Sequence, residues 1–309
     1  MIIKTSVRLV SVVVIAAATA SSTTLKDSTY LFQLSNSLSP FLGVLLLMAL
    51  TVAALFRDWI LGVATSLALV VLCLNFLPAL LPTALSIEKA NLRIVHVNLY
   101  HHNPEPSNSI EAILHHEPDV IALQELNLQW LVELEPILSL QYPFSVNLPS
   151  DTCCYGIGVY SKHPIISSQV ASSQGIPYIK ATISVRGESV TIISIHTLPP
   201  IFPNQIDERD IQLQEFAQIA KKVDGPLIVL GDFNVVHWDR VFQQFLKRSG
   251  LTKISNGLQP TFPMDFGLPL IPIDHVTYSE ELVPTECETF SVPGSDHKGI
   301  IAGFAFTSR

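Results

Sequence analysis

The stretch Leu227-Ile228-Val229-Leu230-Gly231-Asp232-Phe233-Asn234 decides the fold of this 309-residue chain. Its four consecutive apolar residues, two of them β-branched, predict a strand that is buried on both faces. A glycine ends the apolar run, and an aspartate and an asparagine follow it within three positions. Rigid strands commonly hold functional polar groups at their tips. The stretch therefore predicts a core strand that carries reactive side chains at its end.

Five further apolar stretches end in polar residues in the same way. Their terminal residues are Asn98 after 94–97, Glu125 after 120–123, His196 after 192–195, Asp274 after 271–273, and Asp296 with His297 after 292–294. Carboxylate and amide oxygens suit hard cations such as Mg²⁺ or Mn²⁺, and imidazoles supply bases and hydrogen-bond donors. Metal-assisted attack of water on a phosphoester needs this combination of groups.

Short β-rich runs alternate with helical patterns over residues 91–309. Strands are predicted at 92–99, 120–123, 157–161, 179–185, 190–196, 227–230, 276–278 and 299–306. Helices are predicted at 108–116, 128–138, 208–222 and 239–249. Because continuously apolar strands are mixed with alternating ones, we expect two packed sheets covered by helices, rather than a purely parallel βαβ series.

The polar strand ends lie in seven sequence blocks, which are IVHVNLYHHN (94–103), EPDVIALQEL (117–126), YGIGVYSKHPI (155–165), IISIHT (192–197), LIVLGDFN (227–234), PIDHV (272–276) and GSDHKG (294–299). In this order the blocks resemble those of the endonuclease/exonuclease/phosphatase superfamily. That group includes deoxyribonucleases, apurinic-site endonucleases, bacterial sphingomyelinases and inositol-phosphate phosphatases. The resemblance spans roughly residues 91–306. It implies an α/β fold, a four-layer α/β sandwich with two central mixed β-sheets.

The resemblance also implies a metal centre. Glu125 resembles the principal metal ligand of the superfamily, with Asn98 and Asp296 beside it. The implied cofactor is Mg²⁺ or Mn²⁺, and the implied enzyme is a metal-dependent hydrolase acting on phosphoester bonds.

Five other residues match the catalytic positions. Asp232 and Asn234 resemble the pair that positions the attacking water and the phosphate, and His196 resembles a donor to a phosphate oxygen. Asp274 resembles the carboxylate that orients His297, which would act as a base or stabilise the phosphate. The sequence leaves open whether Asp232 or His297 takes the proton of the water.

Three neighbouring residues are not part of these metal and catalytic sets. Tyr155 and Gly156 are candidates for lining the cleft, with simple packing as the alternative. His275 is interpreted as structural.

Residues 1–90 differ in composition from the rest of the chain. The whole chain is 48% hydrophobic and only 14% charged, against roughly 25% charged in typical soluble domains. The runs 40–56 and 60–85 contain no charged residue, and a bilayer core needs about 20 apolar helical residues. We therefore predict two transmembrane helices and a membrane anchor over 1–90, followed by a catalytic domain over 91–309. Such an anchor also resembles bacterial membrane-bound members of the superfamily.

The first twenty residues allow two interpretations. Lys4 and Arg8 precede an apolar run that ends in Ala18-Thr19-Ala20, which is typical of a signal peptide but also of a short first transmembrane helix. The positive-inside rule places Lys4, Arg8 and Arg57 in the cytoplasm in either case. The predicted localisation is the cell membrane, multi-pass, with the catalytic domain extracytoplasmic.

Charge bears on the substrate. Residues 91–309 carry 13 basic and 23 acidic side chains, a net charge of −10, whereas nucleic-acid binders show a basic face. A tether also raises the effective concentration of the domain near lipid head groups. The sequence thus favours a phosphoester that is close to the lipid bilayer or linked to a lipid. The alternatives are an extracytoplasmic nuclease on DNA or RNA and an inactive membrane-anchored binding module, the latter disfavoured because every expected polar position is occupied.

Overall fold

The computed structural model describes residues 12, 13, 15, 36–264 and 270–307, without the side chains of Asn75, Pro78 and Ala79. The chain divides into two compact units, Met1–Leu81 and Pro82–Arg309. The predicted signal peptide or first helix at 9–20 lies outside the described residues, apart from the three isolated positions.

Over residues 36–81, the first unit forms the helices α1 (Ser39–Leu55) and α2 (Trp59–Phe76) and a short 3-10 helix at Leu77–Leu80. The second apolar run, predicted as one span over 60–85, is α-helical only as far as Phe76. Proline has no N–H to continue the α-helical bonding pattern, and Pro78 follows this end closely. Within the described part of the chain, no helix is both long and apolar enough to cross a membrane. The two spans therefore stay predictions.

The described residues of the second unit form four helices and twelve strands. The helices are α3 (Pro106–Leu114), α4 (Leu128–Leu138), α5 (Pro203–Ala220) and α6 (Arg240–Ser249). The strands are β1 (Leu92–Asn98), β2 (Val120–Gln124), β3 (Phe144–Leu148), β4 (Ile157–Ser161), β5 (Ile165–Ser173), β6 (Ile176–Val185), β7 (Glu188–His196), β8 (Leu227–Asp232), β9 (Thr252–Lys253), β10 (Asp274–Tyr278), β11 (Leu282–Ser291) and β12 (Lys298–Phe306).

The strands form two six-stranded mixed sheets. The first sheet has the order β11-β12-β1-β2-β4-β3, and the second has the order β5-β6-β7-β8-β10-β9. The pairs β1–β2 and β7–β8 are parallel, whereas the other pairs are antiparallel. The predicted α/β sandwich with two mixed sheets is confirmed.

Side-chain alternation along each strand divides the core into three layers. On β1, Ile94 packs between the two sheets with residues such as Val120 and Ile228. Its neighbour Val95 faces the helices α3 and α4, on the outer side of the first sheet. On the second sheet, Ile193 faces α5 and α6 in the same manner. Successive strand residues point to opposite faces, so the inward residues of both sheets share one apolar layer.

Candidate functional site

Parallel pairing in both sheets brings the polar strand ends together. Asn98 lies opposite Gln124 in the β1–β2 pair. His196 lies opposite Asp232 in the β7–β8 pair, and Asp274 lies opposite Asp232 in the antiparallel β8–β10 pair. Parallel strands place their carboxyl ends at one edge of a sheet. Strand register therefore places Asn98, His196, Asp232 and Asp274, whereas the other predicted site residues lie in loops beside the strand ends.

Gly231 allows β7 and β8 to approach closely just before Asp232. A Cβ atom at this position would lie 1.9 Å from the carbonyl oxygen of Ile195, and the backbone φ is +145°. An L side chain rarely adopts that φ and would collide with the neighbouring strand. The glycine in the stretch that decides the fold is thus required to place Asp232 beside His196.

Glu125 is held at the end of β2 by two donors. Its Oε1 accepts a hydrogen bond from Asn98 Nδ2 at 3.1 Å, and its Oε2 accepts one from the backbone N–H of His101 at 2.7 Å. Glu125 has a φ of +60°, which is uncommon for a residue other than glycine. Asn127 fixes the segment further, because its amide donates to the carbonyl of His101 at 3.0 Å. The carboxylate is therefore fixed in orientation.

Asn98 joins the carboxylates of the two sheets. Its Nδ2 also donates to Asp232 Oδ2 at 3.2 Å, while its Oδ1 accepts from the N–H of Tyr100 at 3.0 Å. In this orientation the amide presents donors to Glu125 and Asp232, and direct ligation of a cation by Asn98 would require the amide to turn.

Asp232 lies at the centre of the arrangement. Its Oδ1 accepts from the N–H of Asn234 at 2.9 Å. Its Oδ2 lies 3.6 Å from His196 Nε2 and 3.8 Å from His297 Nε2. Burial, together with the charge of Asp274, raises the pKa of Asp232 above its ordinary value. A carboxyl group with a raised pKa can take up a proton near neutral pH.

Asp274 is bonded to two imidazoles. Its Oδ2 accepts from His297 Nδ1 at 2.8 Å, and its Oδ1 accepts from His96 Nε2 at 2.8 Å. Burial would raise the pKa of Asp274, but the bonds and charges of His297 and His96 hold it well below the usual range. Burial would likewise lower the pKa of His297, but Asp274, followed by Asp232 and Asp296, raises it to about 10. At neutral pH, His297 is therefore protonated.

The remaining predicted residues surround this centre. Burial lowers the pKa of His196 to about 4, so its imidazole is neutral, and the ring of Tyr155 lies against it with centroids 5.2 Å apart. The Asn234 amide donates to the carbonyl of Thr197 at 2.8 Å. Asp296 lines the same cleft as Glu125. His275 instead bonds to the carbonyl of Val235 at 2.8 Å, as its structural interpretation requires.

Sequence reasoning missed His96. It lies on β1 with an exposure of 0%, and its partner Asp274 is on the other sheet. The only signal in the sequence was a histidine inside a run of apolar strand residues, two positions before Asn98.

An open cleft of about 470 Å³ lies beside Glu125. Its lining consists of Tyr100, His101, His102, Glu125, Asp151, Thr152, Cys153, Cys154 and Asp296. Three of these residues are carboxylates, and none of the lining residues in the described part of the chain is a lysine or an arginine. An anionic substrate entering this cleft would meet uncompensated negative charge unless a cation were bound.

Two groups of side chains could hold a metal ion. Glu125 and Asp296 face the cleft and offer the hard oxygen ligands that Mg²⁺ and Mn²⁺ prefer. Asp232, Asp274 and His297 also place one ligand atom each within 4.8 Å of one another, but all three side chains are buried. Glu125 and Asp296 line the open cleft, so a divalent cation can reach their carboxylates from solvent.

A layered α/β sandwich with a carboxylate and imidazole site at the strand ends defines a class of hydrolases. The model of the Endonuclease/Exonuclease/phosphatase family matches residues 95–297, and the chain belongs to this family. No curated protein matches the sequence. Members of the family are metal-dependent phosphoester hydrolases, and the chain is an enzyme of this kind.

Several solved structures share the fold. The chain is similar to D. rerio TDP2 complexed with a single-strand DNA product (18% identity, TM-score 0.58, covering 69% of this chain and 98% of that one). It is also similar to the human Nocturnin catalytic domain with a bound sulfate anion (20% identity, TM-score 0.58, covering 72% of this chain and 97% of that one). A third similar structure is sphingomyelinase C from Streptomyces griseocarneus (16% identity, TM-score 0.54, covering 70% of this chain and 99% of that one).

Proposed function

We propose that the chain is a membrane-anchored phosphoesterase, dependent on Mg²⁺ or Mn²⁺, that hydrolyses a phosphomonoester or phosphodiester near the membrane or linked to a lipid. The observation that carries the hydrolytic part is the continuous set of contacts from Glu125 through Asn98 and Asp232 to His297. Side chains from both sheets thus meet within reach of one phosphate group.

Glu125 and Asp296, with Asn98 beside them, would hold the cation. When bound, the cation neutralises phosphate oxygens and makes the phosphorus more open to attack. The donors on Glu125 fix its carboxylate before any ligand arrives, which reduces the cost of organising the site.

Asp232 would take the proton of the attacking water. The raised pKa of Asp232 makes its ionised form a stronger base than an ordinary carboxylate, whereas His297 already holds its proton because Asp274 raises its pKa to about 10. His297 would therefore stabilise negative charge on the phosphate or donate a proton to the leaving group. Asn234 would help place the water, and neutral His196 would donate a hydrogen bond to a phosphate oxygen.

Membrane attachment by residues 1–90 is supported by apolar surface. On α1 and α2, large side chains are strongly exposed, with Leu55 at 77%, Leu74 at 72% and Leu67 at 63%. Exposed apolar area of this kind marks interaction with a membrane or another protein. We place the protein in the cell membrane as a multi-pass protein, with the catalytic domain on the extracytoplasmic side. A reporter fused at residue 90 that is active only in the cytoplasm would contradict this topology.

A nuclease is the second candidate. Lys221, Lys247 and Arg248 line one surface pocket between α5 and α6, and cations of this kind contact nucleic-acid phosphates. The cleft beside Glu125 holds no such cation among the residues described, which favours a smaller anionic substrate.

The decisive experiment is a substrate panel with the full-length protein. Phospholipid vesicles, soluble phosphomonoesters and plasmid DNA are each assayed with Mg²⁺, with Mn²⁺ and with EDTA. We expect release of phosphate or head group from lipid, abolished by EDTA. Efficient cutting of DNA with little lipid hydrolysis would favour the nuclease instead.

Glu125→Gln tests the metal site. Because the substitution removes one anionic ligand, we expect activity to fall by at least about 100-fold at low Mg²⁺ and to recover in part at high Mg²⁺. Glu133→Gln is the matched control, since Glu133 is an exposed carboxylate on α4. Full activity of Glu125→Gln at low Mg²⁺ would overturn the assignment of this ligand.

A further inference from the structure

His96 occupies an unusual position for a polar side chain. Along β1 it alternates with Val95 and Val97, which face the helices, so it points between the two sheets like Ile94. The surrounding layer is apolar, and His96 has an exposure of 0%. Burying a polar group in such a layer costs free energy unless it is hydrogen-bonded.

One hydrogen bond compensates the burial of His96. Its Nε2 lies 2.8 Å from Asp274 Oδ1. An ionised carboxylate can only accept hydrogen bonds, so the proton of this bond belongs to Nε2. The other ring nitrogen, Nδ1, has no hydrogen-bond partner among the described residues. The imidazole therefore makes a single directed contact, and that contact is with the carboxylate that holds His297.

The two imidazoles both reach Asp274 from the first sheet, whereas Asp274 itself lies on the second sheet. His96 lies on β1 and Asp274 on β10, whereas His297 immediately precedes β12. Asp274 Oδ2 accepts from His297 Nδ1 at 2.8 Å. With only one partner, the carboxyl group could turn about its Cβ–Cγ bond. With a donor on each oxygen, its plane is fixed, and the direction of His297 Nε2 toward Asp232 is fixed with it.

We propose that His96 is a positioning residue, which holds the Asp274 carboxylate so that His297 faces the phosphate in its reactive orientation. The inference rests on the proposed function of His297. His96 does not touch substrate in this scheme and acts only through Asp274.

Two substitutions separate hydrogen bonding from packing. His96→Leu places an apolar side chain of moderate size at this position and removes the donor. His96→Gln instead keeps an N–H donor. We expect His96→Leu to lower kcat by about 10- to 100-fold with KM nearly unchanged, as is typical when a partner of a catalytic group is lost. His96→Gln should recover a substantial part of kcat. Equal kcat for the Leu variant and the wild type would overturn the inference.

A double-mutant cycle tests whether the effect passes through Asp274. In an Asp274→Asn background, His96→Leu should change kcat by less than about 3-fold, because residues acting through one contact are not additive. Fully multiplicative losses would instead indicate a role in general stability. If His96→Leu does not fold, the cycle is run with His96→Met, whose adaptable side chain also lacks a donor, and the downfield NMR resonance of the His297 Nδ1 proton is compared with that of the wild type. An unchanged resonance would overturn the inference.

Two controls keep the outcomes distinct. His275→Gln alters another buried histidine, whose bond is to the carbonyl of Val235, and it should lower thermal stability without lowering kcat per folded molecule. His297→Ala is assayed alongside. If His297→Ala retains full activity, the proposed function fails. If only His297→Ala loses activity and His96→Leu does not, the function stands and the role of His96 is wrong.

Discussion

At the scale of single residues, the charge state of His297 depends on one neighbour. Burial alone would lower the pKa of His297, and the Asp274 carboxylate reverses that effect and raises the pKa to about 10. The protonated imidazole is therefore present below that pH and is lost as pH rises through it. A substitution that removes the charge of Asp274 but keeps its shape isolates this dependence.

Asp274→Asn should move the alkaline fall in kcat/KM. In the wild type we expect the rate to decline near pH 10, and in the variant at a clearly lower pH, since only Asp232 and Asp296 then oppose the effect of burial on the pKa of His297. The measurement is a pH profile of kcat/KM with a soluble phosphoester. An alkaline limb at the same pH in both proteins would show that His297 does not require its proton.

Tyr155 packs against His196, the second imidazole of the proposed site. Its ring lies 5.2 Å from the ring of His196. Tyr155→Phe keeps this contact and should retain most of the activity, whereas Tyr155→Ala removes it and should lower kcat by about 10-fold or more. Equal rates for the two variants, measured at saturating substrate, would mean that the ring does not position His196.

At the scale of elements, the loop between β3 and β4 is hydrogen-bonded to the backbone next to Glu125. The N–H of Ser150 donates to the carbonyl of Leu126 at 2.9 Å, and the N–H of Leu126 donates to the carbonyl of Gly156 at 3.1 Å. A Cβ atom on Gly156 would lie 1.7 Å from the Leu126 oxygen. The residue next to Glu125 is thus in direct backbone contact with this loop.

Gly156→Ala should therefore displace Leu126 and, with it, Glu125. We expect a loss of stability of about 1–3 kcal/mol, as for other overpacked sites, and a rise in the Mg²⁺ concentration needed for half-maximal rate. The control is Gly62→Ala, where the nearest atom to the added Cβ would be 3.9 Å away. A variant with wild-type Mg²⁺ dependence would contradict the coupling between the loop and Glu125.

The sequence predicted the elements of the core far better than those at the edges. Strands such as β1, β2, β7 and β8 are buried along nearly their whole length, so their apolar runs were visible. β5, Ile165–Ser173, is polar and mostly exposed, and β3 lies at the other sheet's edge. Edge strands are defined by backbone pairing with a neighbour, which hydrophobic patterning does not report.

The site was predictable to a similar extent. Strand-end residues such as Glu125 and Asp232 stand out because an acid directly after a buried strand is rarely accidental. His96 gave no such signal, because its role depends on a partner 178 positions away on the other sheet. The second apolar run, 60–85, is α-helical only as far as Phe76, because a count of apolar residues gives little weight to the prolines that follow; the membrane span itself stays a prediction.

At the scale of the whole molecule, the two units make separable contributions. The second unit, Pro82–Arg309, contains every residue of the proposed site, whereas the first carries the exposed apolar helices. We expect a chain lacking residues 1–81 to hydrolyse a soluble phosphoester at the full-length rate, with a marked loss on lipid vesicles, because the tether no longer concentrates it there. The ratio of the two rates is the measurement, and an unchanged ratio would contradict a tethering role.

The amide of Asn98 connects carboxylates that belong to different sheets, Glu125 on one and Asp232 on the other. Neither sheet alone carries all the side chains of the proposed site. Catalytic activity therefore requires the two sheets to be packed together. We expect the loss of activity on heating to coincide with cooperative unfolding instead of preceding it. Two fragments made by a cut between β4 and β5, which separates Asn98 and Glu125 from Asp232, should be inactive until they reassociate.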